Sequence, residues 1–167
     1  YSVTVTDQNN CVATSAISIT EPALLTLSAS AYSATCNGVC DGHTVALANG
    51  GTPTYHYQWL PNGGTSATAL GLCAGTYSIN VTDDNGCSID GEVVITQPQP
   101  LNTLAYGDTT LCLGQSTTIS AATTGGTGAY SYDWSGSGNT TSTENVTPTT
   151  PTTYTVQATD ANGCKGN

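Results

Sequence analysis

The sequence predicts an all-β protein built from tandem two-sheet modules, and the residue composition and an internal repeat both lead to this prediction. Thr and Gly are abundant, Met and Phe are absent, and Lys and Arg together supply one residue. Residues that favour pleated strands and tight turns therefore outweigh strong helix formers. We expect almost no helix.

The internal repeat is visible in a segment that occurs three times and runs from a tyrosine to a cysteine. The copies begin at Tyr1, Tyr77 and Tyr154 and read YSVTVTDQNNC, YSINVTDDNGC and YTVQATDANGC. Their spacing is 76 and 77 residues, the size of one small domain. A Gly-Gly-Thr sequence followed by Tyr-x-Tyr-x-Trp recurs with a similar period and ends at Trp59 and Trp134.

Prolines mark the expected boundaries between the repeated modules. Pro22 and the Pro98-Gln-Pro100 segment close the first two copies, and proline interrupts strand pairing. We therefore expect a first module at 1–22, a middle module at 23–98 and a third module at 99–167. The first is expected to be the C-terminal end of a truncated module, the middle one complete, and the third without its final strand. This organisation predicts a piece of a longer repetitive polypeptide.

The middle module contains six strand candidates separated by clusters of Gly, Asn, Pro and Asp. Six short strands without a helical period are typical of an immunoglobulin-like β-sandwich. Trp59 and Trp134 are expected in the core between the sheets, and Tyr77 is expected to form a tyrosine corner. The candidate strands are 24–32, 44–49, 54–60, 65–70, 75–83 and 88–96.

The seven cysteines favour an oxidising compartment, because they lack the paired spacings of a zinc site. The third module has only Cys112 and Cys164, which we expect to pair, and the repeat transfers this pairing to the middle module. Cys11 corresponds to Cys164, and its partner is expected before Tyr1. The predicted disulfides are Cys36–Cys87, Cys40–Cys73 and Cys112–Cys164.

The charge and the motifs exclude several classes of function. A net charge of −10 disfavours binding to nucleic acid, since contact with a phosphate backbone requires Lys and Arg. No apolar stretch is long enough to cross a bilayer. Neither His43 nor His56 lies in a nucleophile motif, and no phosphate-binding glycine loop occurs. We predict a protein that is not an enzyme and has no cofactor, no nucleic-acid partner and no membrane insertion.

The repeated Asp-x-Asn-Gly sequence allows two interpretations. Oxygen ligands at alternate positions begin many calcium loops, which makes Asp83, Asn85, Asp160 and Asn162 weak calcium candidates. No acidic residue follows in the place of the closing bidentate Glu. A tight hairpin turn with Asn and Gly at positive φ is the favoured interpretation.

Four segments of the middle module form a recognisable pattern: CNGVCDG (36–42), GGTPTYHYQW (50–59), LGLCAGTYSINVTDDNGC (70–87) and VITQP (94–98). In these segments the middle module resembles the SprB-type repeat of large Bacteroidota surface adhesins. The third module lacks the second cysteine pair and is more similar to PKD and immunoglobulin-like modules. The resemblance implies type IX export and display on the outer membrane, with no catalytic residues. Asp108-Thr109-Thr110 resembles a Bacteroidota O-glycosylation sequence, which makes Thr109 a glycosylation candidate.

These features predict a structural or adhesive repeat segment of a long secreted fibre or adhesin, used in gliding or surface attachment. The expected location is extracellular, at the outer-membrane surface. The expected partners are neighbouring modules, lateral copies in a filament, and a surface glycan or solid surface. The alternative is a carbohydrate- or calcium-binding module appended to a secreted enzyme. A full-length sequence with dozens of such modules would favour the fibre.

Overall fold

The computed structural model of the protein describes residues 1–107 and 110–166, and within them the chain is all-β. Fourteen strands form five small antiparallel sheets, and the described residues contain no helix. It follows that no helix in this part of the chain could span a membrane. The strands are β1 (Ser2–Thr6), β2 (Val12–Ala16), β3 (Thr26–Tyr32), β4 (Gly42–Asn49), β5 (His56–Leu60), β6 (Thr68–Leu72), β7 (Gly75–Thr82), β8 (Ser88–Ile95), β9 (Asn102–Tyr106), β10 (Thr117–Thr124), β11 (Ser131–Trp134), β12 (Thr143–Val146), β13 (Val156–Thr159) and β14 (Lys165–Gly166).

The first module consists of the hairpin β1–β2. Its register runs from Ser2 opposite Ala16 to Thr6 opposite Val12, and every residue of both strands is exposed. The backbone N–H of Ile17 donates to the carbonyl of Tyr1 over 2.8 Å and extends the pairing by one bond. A hairpin without an apolar partner buries no core, so β1 and β2 contribute no hydrophobic cluster of their own.

The middle module contains two three-stranded sheets, ordered β3-β4-β6 and β5-β7-β8. Alternate residues of β4 and β7 are buried, as expected for strands with one face on a core. Trp59 is 2% exposed, and its Nε1–H donates to the carbonyl of Ser66 over 3.0 Å. Both sheets contribute to one buried cluster: Leu25, Ala46, Ala48, Trp59, Ala69, Leu72, Tyr77, Ile79, Val81, Val93 and Ile95.

The third module repeats this arrangement with a smaller core. Its sheets are ordered β12-β10-β9 and β11-β13-β14. Trp134 is buried, and its Nε1–H donates to Thr141 O over 3.0 Å, the counterpart of the Trp59 bond. Lys165 and Gly166 form the two-residue β14 opposite β13, at the position that the eight-residue β8 takes in the middle module. The cluster comprises Ile119, Ala121, Trp134 and Val146.

Predicted and observed strands of the middle module differ by up to three residues at their ends, for local reasons. β3 begins at Thr26 because the carbonyl of Ala23 accepts a bond from Gly51 N over 2.7 Å instead of joining a ladder. The Tyr77 hydroxyl donates to Cys73 O over 3.1 Å, as a tyrosine corner requires. These contacts fix the two ends of the module, where the chain enters and leaves.

Candidate functional site, the junction between modules

The loop at 33–41 lies at the end of the middle module where the chain leaves it, and we call it the exit loop. The hydroxyl and the backbone N–H of Thr35 both donate to the Asp41 carboxylate. These two bonds hold the pKa of Asp41 below its usual range, the hydroxyl contributing most. A turn begins at Cys36, whose carbonyl accepts a hydrogen bond from the N–H of Val39 over 3.3 Å. Gly38 supplies the left-handed φ of 75° that this turn requires.

The linker between the middle and third modules is hydrogen-bonded on both sides. On the side of the third module, the N–H of Gly126 donates a hydrogen bond to the carbonyl of Gln99 over 2.9 Å. A linker held from both modules cannot act as a flexible hinge. The middle module donates three hydrogen bonds to the linker: Ala34 N to Thr96 O (2.9 Å), Asn37 Nδ2 to Pro98 O (3.0 Å) and Gly38 N to Gln97 Oε1 (2.8 Å).

The Asp-x-Asn-Gly-Cys sequence forms a tight turn at the end where the chain enters a module, and we call it the entry turn. In the third module, Asp160 Oδ1 accepts from the N–H groups of Asn162 and Cys164, each over 2.9 Å. Its Oδ2 accepts from Thr127 N over 2.8 Å. The Thr127 bond is the largest cause of the lowered pKa of Asp160.

The entry turn of the middle module has the same geometry. Asp83 accepts from Asn85 N over 3.0 Å, Cys87 N over 2.8 Å and Thr52 N over 2.8 Å. The pKa of Asp83 is lowered, chiefly by the Thr52 bond. The residue is 2% exposed, and its carboxylate accepts from these three backbone amides.

The four calcium candidates all lie in the entry turns, where their side chains form hydrogen bonds within the fold. Asn85 Nδ2 donates to Thr52 Oγ1 over 2.7 Å, and Asn162 Nδ2 donates to Thr127 Oγ1 over 3.2 Å. Asp83 and Asp160 direct their oxygens at backbone N–H groups within the fold. Across the described ranges, no group of three or more His, Cys, Asp or Glu side chains could hold a metal ion. The geometry is that of a hairpin turn, with Gly86 and Gly163 at a positive φ of 82°. Asn85 and Asn162 do not take the positive φ expected of them.

The disulfides differ from two of the three predicted pairs. Cys36 bonds to Cys164, with the Cα atoms 5.6 Å apart, so the bridge joins the exit loop of the middle module to the entry turn of the third. The predicted Cys36–Cys87 and Cys112–Cys164 bridges are therefore not formed. The third predicted bridge, Cys40–Cys73, is present.

The length of the strands explains this correction. The exit loop and the entry turn of the middle module lie at opposite ends of β8, whose eight extended residues span about 26 Å. A disulfide requires Cα atoms within about 7 Å, so Cys36 cannot reach Cys87. In the third module, β10 likewise separates Cys112 from Gly126, which lies against the entry-turn residue Asp160.

Further contacts join the two modules beside the disulfide. Asn162 Nδ2 donates to the carbonyl of Thr35 over 3.1 Å, and the Cys164 sulfur lies 3.4 Å from the same oxygen. Thr35 is itself fixed by Asp41. The junction therefore combines a covalent bridge, a direct hydrogen bond and a bonded linker.

Other candidate positions lie away from the junction. His43 stacks on Tyr32 across the β3–β4 pair, with ring centroids 4.2 Å apart. A cavity of about 420 Å³ in the third module is lined by Ile119, Val146 and Tyr154. Exposed residues such as Leu113 and Thr150 also line it, so the cavity is open to solvent beside the core residues Ile119 and Val146. Thr109, the glycosylation candidate, lies outside the described residues.

The chain matches no protein-family model and no curated protein. The functional interpretation therefore depends on the geometry of the junction. Sequence reasoning found the cysteines and the Asp-x-Asn-Gly turns but missed that they meet across a linker. The repeat period allowed this pairing without favouring it, because a fixed period places a cysteine of one module as regularly with respect to the next module as to its own.

We expect acid to destabilise the entry turns. The folded-state pKa values of Asp83 and Asp160 lie below the ordinary value of 3.8, so their stabilisation is complete above about pH 4. It is lost as the pH falls through the lowered values, because a protonated carboxyl accepts these bonds poorly. A D83N/D160N variant should be less stable at pH 7 and show a flatter decline in acid. Denaturant unfolding between pH 7 and pH 2 measures both effects.

The matched control for this prediction is Asp84→Asn. Asp84 is exposed and adjoins Asp83, so its substitution removes one carboxylate charge, against two in the double variant, and leaves the three amide bonds of Asp83 in place. It should leave the acid dependence unchanged. Identical acid profiles for the D83N/D160N variant and the parent protein would contradict the assigned role of the two carboxylates.

Proposed function

We propose that this chain is a segment of a long secreted fibre or adhesin at the cell surface, with a structural and adhesive role in surface attachment or gliding. The observation that carries the proposal is the Cys36–Cys164 bridge, which joins two modules across a linker bonded to both. A fixed, covalently closed junction suits a chain that transmits force over a distance. A binding module appended to an enzyme has no need of one.

The fold and its chemistry support this proposal. Two disulfides indicate an oxidising, extracellular-type environment. The paired three-stranded sheets, the buried Trp59 and the Tyr77–Cys73 hydrogen bond are features of immunoglobulin-like sandwiches, the usual building blocks of surface fibres. The resemblance of the middle module to SprB-type repeats adds type IX export to the proposal.

The charge of the chain suits the same role. The net charge of −10 keeps neighbouring fibres apart through mutual repulsion and maintains solubility. Proposed contacts are with adjacent modules of the array and, at its tip or side, with a surface glycan or solid surface. Lateral association of copies would have to overcome this repulsion.

The test is to label intact producing cells with an antibody raised against this chain. We expect immunogold particles along fibres outside the cell, with no increase in labelling after permeabilisation, because the modules are displayed outside the outer membrane. Labelling that appears only after permeabilisation would overturn the proposal. Binding of calcium or a polysaccharide by the purified chain in calorimetry, with an enzyme domain in the same polypeptide, would favour the alternative module.

A further inference from the structure

Two exit loops in this chain share one local geometry. Cys36 and Cys112 each accept, on the backbone carbonyl, an N–H from the residue three positions later, over 3.3 and 3.0 Å respectively. Gly38 and Gly114 take the same left-handed conformation, with φ of 75° and 77°. The exit loop of the third module, at 110–116, therefore presents Cys112 as the middle module presents Cys36.

Three entry turns also share one geometry. In each, the cysteine N–H donates to Oδ1 of the aspartate four residues earlier, over 2.8 Å for Cys11 and Cys87 and 2.9 Å for Cys164. The aspartate N–H donates back to the cysteine carbonyl over 2.9 to 3.0 Å. Cys11 and Cys87 are thus held in the conformation in which Cys164 forms its bridge.

The entry end of the middle module has the same hydrogen bonds as the entry end of the third module. Gly51 N donates to Ala23 O over 2.7 Å, as Gly126 N donates to Gln99 O. Asn85 Nδ2 bonds Thr52 Oγ1, just as Asn162 bonds Thr127. Asn162 additionally donates to Thr35 O of the preceding module, and no such acceptor from another module faces Asn85 among the described residues.

The cysteine thiols outside the two bridges are those of Cys11, Cys87 and Cys112, and all three are exposed. We propose that they are half-junctions, each a docking position for a complementary module of this same type. Cys112 takes the entry-turn cysteine of a following module, and Cys11 and Cys87 each take the exit-loop cysteine of a preceding one. This inference deepens the proposed fibre function and rests on it, since it names the partner as another copy of the module.

Closing a half-junction is an oxidation that needs an acceptor. Two thiols lose two electrons and two protons as one S–S bond forms, and a small-molecule or protein disulfide accepts them as its own S–S bond breaks to give two thiols. The exchange passes through a mixed disulfide with one of the two cysteines. An oxidising compartment supplies such disulfides.

The first test uses the full chain incubated with oxidised glutathione and analysed without reduction. Pairing between copies could join any two of Cys11, Cys87 and Cys112, but the exit-to-entry rule allows only Cys112 with Cys11 or with Cys87. We expect cross-linked oligomers that peptide mapping assigns to these two pairs. Cys112→Ser should lose the oligomers, whereas Cys11→Ser or Cys87→Ser alone should retain them. Oligomers that persist in Cys112→Ser, or pairs of like cysteines, would overturn the rule.

The second test places the half-junctions in one polypeptide. Because Cys164 and Cys11 hold equivalent positions, a tandem protein in which Cys164 of one copy is followed directly by Val12 of the next continues the repeat in register. We expect mapping to find Cys112 of the first copy bonded to Cys87 of the second. Recovery of Cys87 bonded to Cys36 of its own module would overturn the inference. Surface labelling of cells would be unaffected by that result, so the failure of either proposal is distinguishable.

Discussion

Reducing the Cys36–Cys164 bridge is expected to lengthen the protein under load by about 420–460 Å. The bridge spans a sequence separation of 128 residues, and an extended chain covers about 3.3–3.6 Å per residue. In the oxidised protein, force applied at the two termini passes along the chain to Cys36, across the sulfur atoms to Cys164, and out. The segment between these residues carries no load, even if its modules unfold. Single-molecule pulling with and without a reductant measures the difference.

The chain offers a matched control for this experiment in its other disulfide. Cys40 and Cys73 both lie inside the segment that the larger bridge shields. A C40S/C73S variant should therefore show the same short extension as the parent protein when oxidised. C36S/C164S should extend without a reductant by all of this segment except the loop of sequence separation 33 that Cys40–Cys73 still closes. Equal total extension before and after reduction of the parent protein would contradict this load path.

Replacing Trp59 with alanine is expected to lower the free energy of unfolding of the middle module by about 3–5 kcal/mol. Trp59 is 2% exposed, lies between the two sheets, and donates a hydrogen bond to Ser66 O. Truncation leaves a large cavity and an unpaired carbonyl. Hydrogen exchange of the β7 amides measures the loss for the middle module alone, which bulk unfolding of a multi-module chain would not.

Leu60→Ala is the matched control, since Leu60 follows Trp59 on β5 but is 54% exposed. Its substitution should change stability by no more than about 0.5 kcal/mol. Trp59→Phe, which keeps an aromatic ring but removes the Nε1–H, should fall between the two. Equal loss of protection in the Trp59→Ala and Leu60→Ala variants would mean that the core is not organised around Trp59.

The strands and the core were predictable from sequence because both depend on short-range patterns. Alternation along a strand decides which side chains face inward, and the Tyr-x-Tyr-x-Trp sequence placed Trp59 on the buried face of β5. The turns at Asp83 and Asp160 were predictable from Asn and Gly for the same reason. All of these features are fixed within about ten residues of chain.

The junction was not predictable from such patterns, because it depends on which end of a module each cysteine occupies. Periodic spacing is satisfied equally by a bridge within a module and by one between modules. The length of β8 excludes the bridge within the middle module, because it holds Cys36 and Cys87 too far apart to bond. The position of Cys36 relative to Cys164 follows from the bonded linker at 96–99, a tertiary feature without a sequence signature.

The Cys36–Cys164 bridge also changes what a single cut in the backbone can do. Hydrolysis of any one peptide bond between these two cysteines leaves both fragments joined through sulfur, so the polypeptide remains in one piece. Exposed loops such as the turn at 61–64 can then be nicked by extracellular proteases without releasing whatever the chain carries beyond them. If neighbouring junctions close in the same way, the closed rings overlap along the array, and most of the polypeptide tolerates a break.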